Sequence, residues 1–224
     1  MQNRLEPNKY GLALHTTSPE LGLALSNFAG DSRCSTWDLG RALSTHLHYH
    51  LAEFIQPQTW TNLAFIAVAK GPGGFTGTRI GVVTARTLAQ QLDIPLFAIS
   101  ALAAVAWSYH LDGAVGSERT MPVLSVPKAV QLPAQRGQMF VAMYQVTPDG
   151  SGLTQLLPDR VMTPEAWQQT LASWPTDYQL IEAPGCLGVS VSSLLELAYL
   201  DWQRGKRPDW SEALPFYGQH PVDG

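Results

Sequence analysis

A glycine-rich turn carries the residue types that bind phosphate groups in many enzymes. The stretch AKGPGGFTGTRIG has glycines at 71, 73, 74 and 77. It lies between an apolar run typical of a buried strand and a segment that predicts a helix from about Thr78 to Leu92. Backbone amides of such a turn, together with the start of the helix, are able to hold an anion. The spacing decides whether this turn matches a known phosphate motif.

Neither common phosphate motif is complete in this turn. A Walker loop requires Gly-Lys-Ser/Thr, whereas Thr78 and Arg79 follow Gly77. The dinucleotide fingerprint requires a third glycine at position 76, which is threonine. We therefore favour a structural role, in which the glycines permit close backbone approach and Thr76 or Thr78 caps the helix. A phosphate site stays open as the less favoured alternative.

The helix after the turn has one face of very small residues. At 100° per residue one stripe contains Gly81, Ala85, Leu88 and Leu92. The opposite face contains Arg79, Val83, Arg86 and Gln90. Small residues allow a second helix to approach closely, so the stripe predicts a docking surface for another protein. Packing of the same stripe inside the chain explains the pattern equally well.

Composition places the chain among folded globular proteins. Of its 224 residues 45% are hydrophobic and 14% charged, and the net charge is −4. That balance argues against disorder, and the lack of a Lys/Arg cluster argues against a stand-alone nucleic-acid binder. The two cysteines, Cys34 and Cys186, are far apart and form no metal-binding pattern. Without a signal peptide or an apolar run of membrane length, we expect a cytoplasmic protein and no membrane contact.

The apolar pattern predicts two α/β halves. The first half reads β-β-α-β-α-β-α, beginning with a hairpin that turns near Ser18-Pro19 and including a helix from Leu39 to Ile55. A polar, turn-rich stretch from His110 to Pro122 marks the boundary between domains 1–110 and 111–224. The second half restarts with alternating strands. Its first helix has Thr163 as N-cap and proline next to it.

The segment GPGGFTGTRIG resembles the G-P-G-S-F-T-G-x-R-x-G signature of the bacterial TsaB (YeaZ) family, and only Gly74 departs from it. Other segments are similar to the family as well: LALHTTSPELGLAL, THLHYHL, PAQRGQMFVAMY and LPFYGQHP. Together they extend over about residues 10 to 221. The chain is therefore identified as a member of this family.

The resemblance implies a two-lobed actin-like (ASKHA, ribonuclease H-like) α/β fold with mixed sheets flanked by helices. It also implies a non-catalytic scaffold needed for N6-threonylcarbamoyladenosine formation at adenosine-37 of tRNA. The implied partners are a TsaD-type transferase, as a heterodimer, and a TsaE-type ATPase, with tRNA reached indirectly through the complex. Alone, the chain would form a homodimer through much the same surface.

On this resemblance we expect the helices of the first lobe to form the partner interface. The expected interface residues are Leu43, Leu47, His50, Gly81, Ala85, Leu88 and Leu92. The signature turn would set the angle at which the second of these helices leaves the sheet. It comprises Gly71, Pro72, Gly73, Gly74, Phe75, Thr76, Gly77 and Arg79.

The turns that open the two lobes lack the carboxylates that actin-like enzymes use to hold magnesium. The resemblance places His15 at the position of the first aspartate, and Pro133 and Gln135 at the positions of the Asp and Arg of the second turn. Neither imidazole nor a proline ring replaces a carboxylate as ligand of a hard cation. We expect no catalytic residues, metal or cofactor, with ATP or ADP and Mg²⁺ possible only at the assembled complex.

Two other kinds of function stay open. His46 and His50 have H-x-x-x-H spacing with Glu53 beyond them, which would suit a metal-dependent peptidase, but the H-E-x-x-H pattern is absent. A packed or interface histidine is the simpler interpretation of His50. A small ATP-using enzyme of the actin-like class is a second enzymatic alternative. A homodimer with a structural or sensing role and no transferase partner is the alternative that is not an enzyme.

Overall fold

Two mixed β-sheets flanked by helices form the framework of the protein. The computed structural model describes residues 4–114 and 126–218, and for residues 111–114 it describes the backbone alone. The first sheet has the strand order β3-β2-β1-β4-β5. Its strands are β1 (Tyr10–His15), β2 (Glu20–Ser26), β3 (Ser32–Asp38), β4 (Leu63–Ala69) and β5 (Leu96–Ile99).

The second sheet is formed by the later part of the chain, in the order β8-β7-β6-β9. Its strands are β6 (Lys128–Pro133), β7 (Met139–Val146), β8 (Leu153–Met162) and β9 (Gln179–Glu182). The helices are α1 (Leu43–Phe54), α2 (Phe75–Leu92), α3 (Ala101–Ala114), α4 (Pro164–Ala172) and α5 (Val191–Gln203). No helix in the described part is long and apolar enough to cross a membrane.

The strand pairing confirms the predicted hairpins and parallel strands. β1 pairs with β2 in antiparallel register and with β4 in parallel, and β4 pairs with β5 in parallel. β6 and β7 form the second antiparallel pair. The predicted element order omitted β3 and β8. Both are edge strands whose residues are largely polar or half exposed, so they lack the apolar alternation that marks a strand with one buried face.

The two helices of the first half begin at different residues from those predicted. A 3-10 turn, Gly40–Ala42, precedes α1, which begins at Leu43 rather than Leu39. α2 begins at Phe75 rather than Thr78. The prediction that Thr76 or Thr78 caps α2 is wrong, because Gly74 is the N-cap and no side chain caps the helix. The Thr78 hydroxyl instead donates to the Gly74 carbonyl oxygen at 2.8 Å.

α1 and α2 cover the same face of the first sheet. Their buried side chains share one apolar core with leucines of β1 and β2, such as Leu12 and Leu23. Arg33 of β3 fixes the end of α1, since its guanidinium donates to the carbonyl oxygens of Phe54, Ile55 and Gln56 at 2.9 to 3.1 Å. A cation at a helix C-terminus also interacts favourably with the helix dipole.

Each of the two remaining long helices packs on the sheet formed by the other half of the chain. α3 packs mainly on the second sheet, where Leu102 and Val105 join the core around Phe140. α5 covers the other face of the first sheet, where Leu194 and Leu195 join the core. The predicted division into domains 1–110 and 111–224 stays a prediction, and residues 115–125 of its boundary lie outside the described residues.

The small-residue stripe of α2 faces the chain's own sheet. This corrects the prediction that these small residues form a docking surface for another protein. Ala85 is completely buried, and Gly81 lies so close to Thr16, directly after β1, that an added Cβ would overlap the Thr16 hydroxyl. Val83, on the opposite face, is 53% exposed. Gly81 therefore lets α2 approach the start of the β1–β2 turn, and the face with Arg79 and Val83 is the one in solvent.

β1 ends at a histidine that is enclosed by the core. His15 is completely buried, and neither ring nitrogen has a hydrogen-bond partner among the residues that the structure describes. Burial without a partner disfavours the charged imidazolium, and this desolvation lowers the pKa of His15 from 6.5 to about 3. The folded protein therefore holds this imidazole neutral throughout the physiological pH range.

We predict that Gly77→Ala destabilises the protein, although alanine is the better helix former. Alanine favours a helix by about 1 kcal/mol over glycine, but a Cβ at Gly77 would overlap the carbonyl oxygen of Thr16, a backbone atom that cannot rotate away. Overpacking of this kind costs about 1 to 3 kcal/mol. Urea denaturation should show a net loss, while Thr76→Ala at the exposed neighbour leaves stability nearly unchanged. A more stable Gly77→Ala variant would contradict the close approach.

We predict that His15 contributes to acid sensitivity. The unfolded chain binds a proton at His15 near pH 6.5 and the folded chain only near pH 3, so stability falls as the pH is lowered through this window. Between pH 7 and pH 5 the loss amounts to about 2 kcal/mol. Urea denaturation of His15→Leu should lack this contribution, whereas the exposed control His48→Gln should keep it. An unchanged pH dependence in His15→Leu would refute the assignment.

Candidate functional site

The glycine turn lies directly against the turn between β1 and β2. The Gly74 amide donates to the Thr17 carbonyl oxygen at 2.7 Å, and the Thr16 hydroxyl donates to the Gly77 carbonyl oxygen at 2.8 Å. A Cβ on Gly73 would overlap the Thr17 carbonyl oxygen. These contacts support the structural role of the glycines, because a side chain here would separate the two turns.

The tail of the chain covers the other side of the glycine turn. The Phe216 amide donates to the Lys70 carbonyl oxygen at 2.6 Å, and a Cβ on Gly71 would overlap the Phe216 carbonyl oxygen. The rings of Phe75 and Tyr217 pack with their centroids 4.4 Å apart. The closing segment that resembles the family is thus part of the same site, up to Gly218; residues 219–221 of it lie outside the described residues.

A cleft of about 1030 Å³ opens between the glycine turn and the β6–β7 hairpin. Its walls come from both halves of the chain. They include Thr16 to Pro19, Gly40 to Ser44 without Ala42, Gly73 to Gly77, Ile80, Leu132 to Gln135, Phe140, Ala183, Gly185, Leu187 and Tyr217. Among these residues Arg41 is the charged side chain, and there is no aspartate or glutamate.

The residues of the cleft do not fit the magnesium–nucleotide complex of actin-like enzymes. Pro133 and Gln135 line it, and the neutral His15 is buried next to it at the end of β1. A hard cation requires several oxygen ligands, normally with at least one carboxylate. No carboxylate lines the cleft among the described residues. The expectation that the chain holds no metal or nucleotide of its own stays a prediction.

The predicted interface residues divide into two sets. Leu43, Leu47, Gly81 and Ala85 are buried inside the chain, so they cannot contact a partner from the surface of the fold. This corrects the prediction for these four. His50, Leu88 and Leu92 are half-buried at the edge of the same core, and their contact with a partner stays a prediction.

The outer faces of α1 and α2 carry exposed residues that the apolar pattern did not single out. Tyr49 is 58% exposed and Val83 is 53% exposed. Around them α1 presents His46, His48 and Glu53, and α2 presents Arg79, Thr87 and Gln90. We call Tyr49, Val83 and these six neighbours the α1–α2 outer surface. Tyr49 and Val83 are the side chains of this surface that could add apolar contact area to an interface.

The histidines of α1 are not arranged as a metal site. The His50 ring stacks on Trp37 with centroids 4.5 Å apart, and Glu53 accepts a hydrogen bond from the Tyr49 hydroxyl at 2.6 Å. The rings of His46 and His50 lie 6.5 Å apart. Over the described ranges, no group of three or more His, Cys, Asp or Glu side chains could hold a metal ion.

Comparison with known proteins gives consistent matches. The family model described as TsaD, tRNA N6-adenosine threonylcarbamoyltransferase, matches residues 51–169. The chain is 38% identical over 111 residues to the tRNA threonylcarbamoyladenosine biosynthesis protein TsaB of Bacillus subtilis, and 29% identical over 119 residues to TsaB of Escherichia coli. These matches cover 49% and 52% of this chain and 42% and 47% of the relatives, which is less than half of each relative.

Two solved structures from Pseudomonas aeruginosa share the whole fold. YeaZ superposes with a TM-score of 0.72 at 21% identity, covering 93% of this chain and 99% of that chain. A protein described as similar to peptidase YeaZ gives a TM-score of 0.73 at 21% identity, covering 94% and 100%. The predicted α/β fold class with mixed sheets and flanking helices is therefore confirmed. The chain belongs to the TsaD family, and within it the proteins it resembles are those named TsaB and YeaZ.

Proposed function

We propose that this chain is a non-catalytic scaffold subunit in the formation of N6-threonylcarbamoyladenosine at adenosine-37 of tRNA. It pairs with a TsaD-type transferase and activates it. Family membership and the names of the relatives support the pathway. The observation that carries the scaffold role is the cleft whose described walls have no carboxylate, since such walls do not support catalysis through a bound magnesium ion.

The α1–α2 outer surface is the proposed docking site for the transferase. Tyr49 would lie near its centre, because tyrosine is enriched among the residues that dominate binding energy in specific interfaces, and Val83 is the exposed apolar side chain that α2 would add. An interface of this kind buries about 800 Å² on each partner. In the absence of the transferase, a second copy of this chain would cover the same surface.

The other components join at the level of the complex. A TsaE-type ATPase would bind the assembled pair, and ATP or ADP with Mg²⁺ would be held there rather than by this chain alone. The transferase would contact tRNA, in line with the net charge of −4 of this subunit. The peptidase alternative has less support, because His50 packs on Trp37 and Glu53 bonds to Tyr49.

Reconstitution of the pathway tests the function. Transferase, ATPase, the enzyme that makes threonylcarbamoyl-adenylate, tRNA, ATP and Mg²⁺ are combined with and without this chain, and modified adenosine is quantified by mass spectrometry. We expect product at adenosine-37 only when the chain is present, because the transferase requires its partner. Equal product in both reactions would contradict the proposal.

We predict that Val83→Glu and Tyr49→Glu each weaken binding to the transferase at least about tenfold, since a charge at an interface centre removes at least one hot-spot contact. Both positions are exposed, so the melting temperature of the isolated chain should hardly change. The matched control is Val189→Glu, at a residue 62% exposed that lies before α5 on the other face of the first sheet. Titration calorimetry that gives wild-type affinity for both helix variants would rule out this surface.

A further inference from the structure

We propose that the edge strand β3 positions α1 for docking to the transferase, with Arg33 and Trp37 as the two positioning residues. This role rests on the proposed function, because it concerns a helix that is proposed to dock. Arg33 and Trp37 are four residues apart on one strand, so their side chains lie on the same side of the sheet, where α1 packs. Each acts through α1 rather than through a contact of its own with the partner.

The apolar packing of α1 needs a second kind of contact to fix the helix precisely. Its buried side chains are Leu43, Leu47 and Leu51, which form one stripe. Hydrophobic contact is non-directional, whereas a hydrogen bond requires a defined distance and angle. α1 has no side-chain cap at its start and no basic residue in its own last turn. A polar anchor at its end must therefore come from another element.

Arg33 supplies that anchor from β3. Its Nη2 donates to the carbonyl oxygens of Phe54, Ile55 and Gln56 at 3.0, 3.0 and 2.9 Å, and its Nε donates to that of Phe54 at 3.1 Å. The last carbonyl groups of a helix have no partner inside it. A planar guanidinium bonds them in one fixed geometry that a lysine ammonium does not reproduce. Arg33 therefore sets where α1 ends relative to the sheet.

The Arg33 guanidinium is itself held in place. Gln58 Oε1 accepts a hydrogen bond from Arg33 Nη2 at 2.6 Å, and Gln58 Nε2 donates to the Tyr10 hydroxyl and to Asp31 Oδ2, each at 3.3 Å. The Tyr10 hydroxyl donates to Asp31 Oδ2 at 2.7 Å. Tyr10 belongs to the buried core of the first half. This series of bonds connects the end of α1 to β1, the central strand of the first sheet.

Trp37 extends the same support to the exposed face of α1. Its ring stacks on the His50 ring with centroids 4.5 Å apart, and the Tyr49 ring meets the His50 ring edge-on at 5.6 Å. The Tyr49 hydroxyl donates to Glu53 at 2.6 Å. Tyr49 is thus ordered in the free chain, although it is 58% exposed. A side chain that is ordered before binding loses less conformational entropy when the partner arrives.

A double-mutant cycle on the affinity for the transferase, measured by titration calorimetry with the full chain, tests this role. We expect Arg33→Gln to weaken binding about tenfold, because α1 then presents Tyr49 in several positions. In a Tyr49→Ala chain the same change should weaken binding no more than about twofold, since little remains to be positioned. In a Val83→Ala chain it should keep its effect of about tenfold, because Val83 lies on α2.

The Val83→Ala chain is the matched control that separates positioning from general destabilisation. A lower folded fraction would weaken binding by the same factor in both chains. Arg160→Gln removes an exposed arginine from the other polar edge strand, β8, and should leave the affinity unchanged. Trp37→Leu should repeat the pattern of Arg33→Gln through a different contact, and it replaces Arg33→Gln if that variant does not fold.

Hydrogen exchange on the free chain gives a second readout. Arg33→Gln should speed exchange in the last turn of α1 by about tenfold or more and leave α2 unchanged. Unchanged exchange in α1, unchanged affinity, or an equal loss of affinity in the Tyr49→Ala and Val83→Ala chains would overturn the positioning role and leave the proposed function standing. A wild-type chain that does not bind the transferase would overturn the proposed function and the positioning role with it.

Discussion

The close approach of α2 to the β1–β2 turn is the contact on which the rest of the first half depends. Gly73, Gly77 and Gly81 lie at successive points along this approach, and each would overlap Thr16 or Thr17 if it carried a Cβ. Because α2 approaches Thr16 and Thr17 so closely, its small residues Gly77 and Gly81 face the interior of the chain. The same contact fixes which face of α2 reaches solvent, and it forms one wall of the cleft.

Two surfaces result from this arrangement, and they differ in the groups that they present. The α1–α2 outer surface is exposed and includes Tyr49 and Val83, and it is the surface proposed to meet a protein partner. The cleft is concave and shared by both halves of the chain, and it offers one arginine and a helix start but no carboxylate. Its described walls therefore lack the carboxylate that a hard cation normally requires. The buried, neutral His15 lies at the end of β1, next to the cleft residue Thr16.

Sequence alone predicted the central strands, the hairpins, the parallel pairing and the capped start of α4. These elements have strong apolar patterns or turn residues with few alternatives. It failed for β3 and β8, whose polar edge positions carry no such pattern. Periodicity distinguished the two faces of α2, but it could not say which faced the sheet, since small residues suit a partner helix and a close strand alike. The cleft was beyond sequence reasoning, because Thr17 and Tyr217 are brought together only by the tertiary fold.

Thiol footprinting tests most directly whether the outer face of α2 exists to be covered by the transferase. In a chain with Cys34→Ser and Cys186→Ser, Val83→Cys is labelled with a maleimide alone and with the transferase present, and Val189→Cys serves as the reference. The account predicts rapid labelling of both sites in the free chain and a strong slowing at position 83 alone in the complex. Equal labelling at position 83 with and without a bound transferase would contradict it.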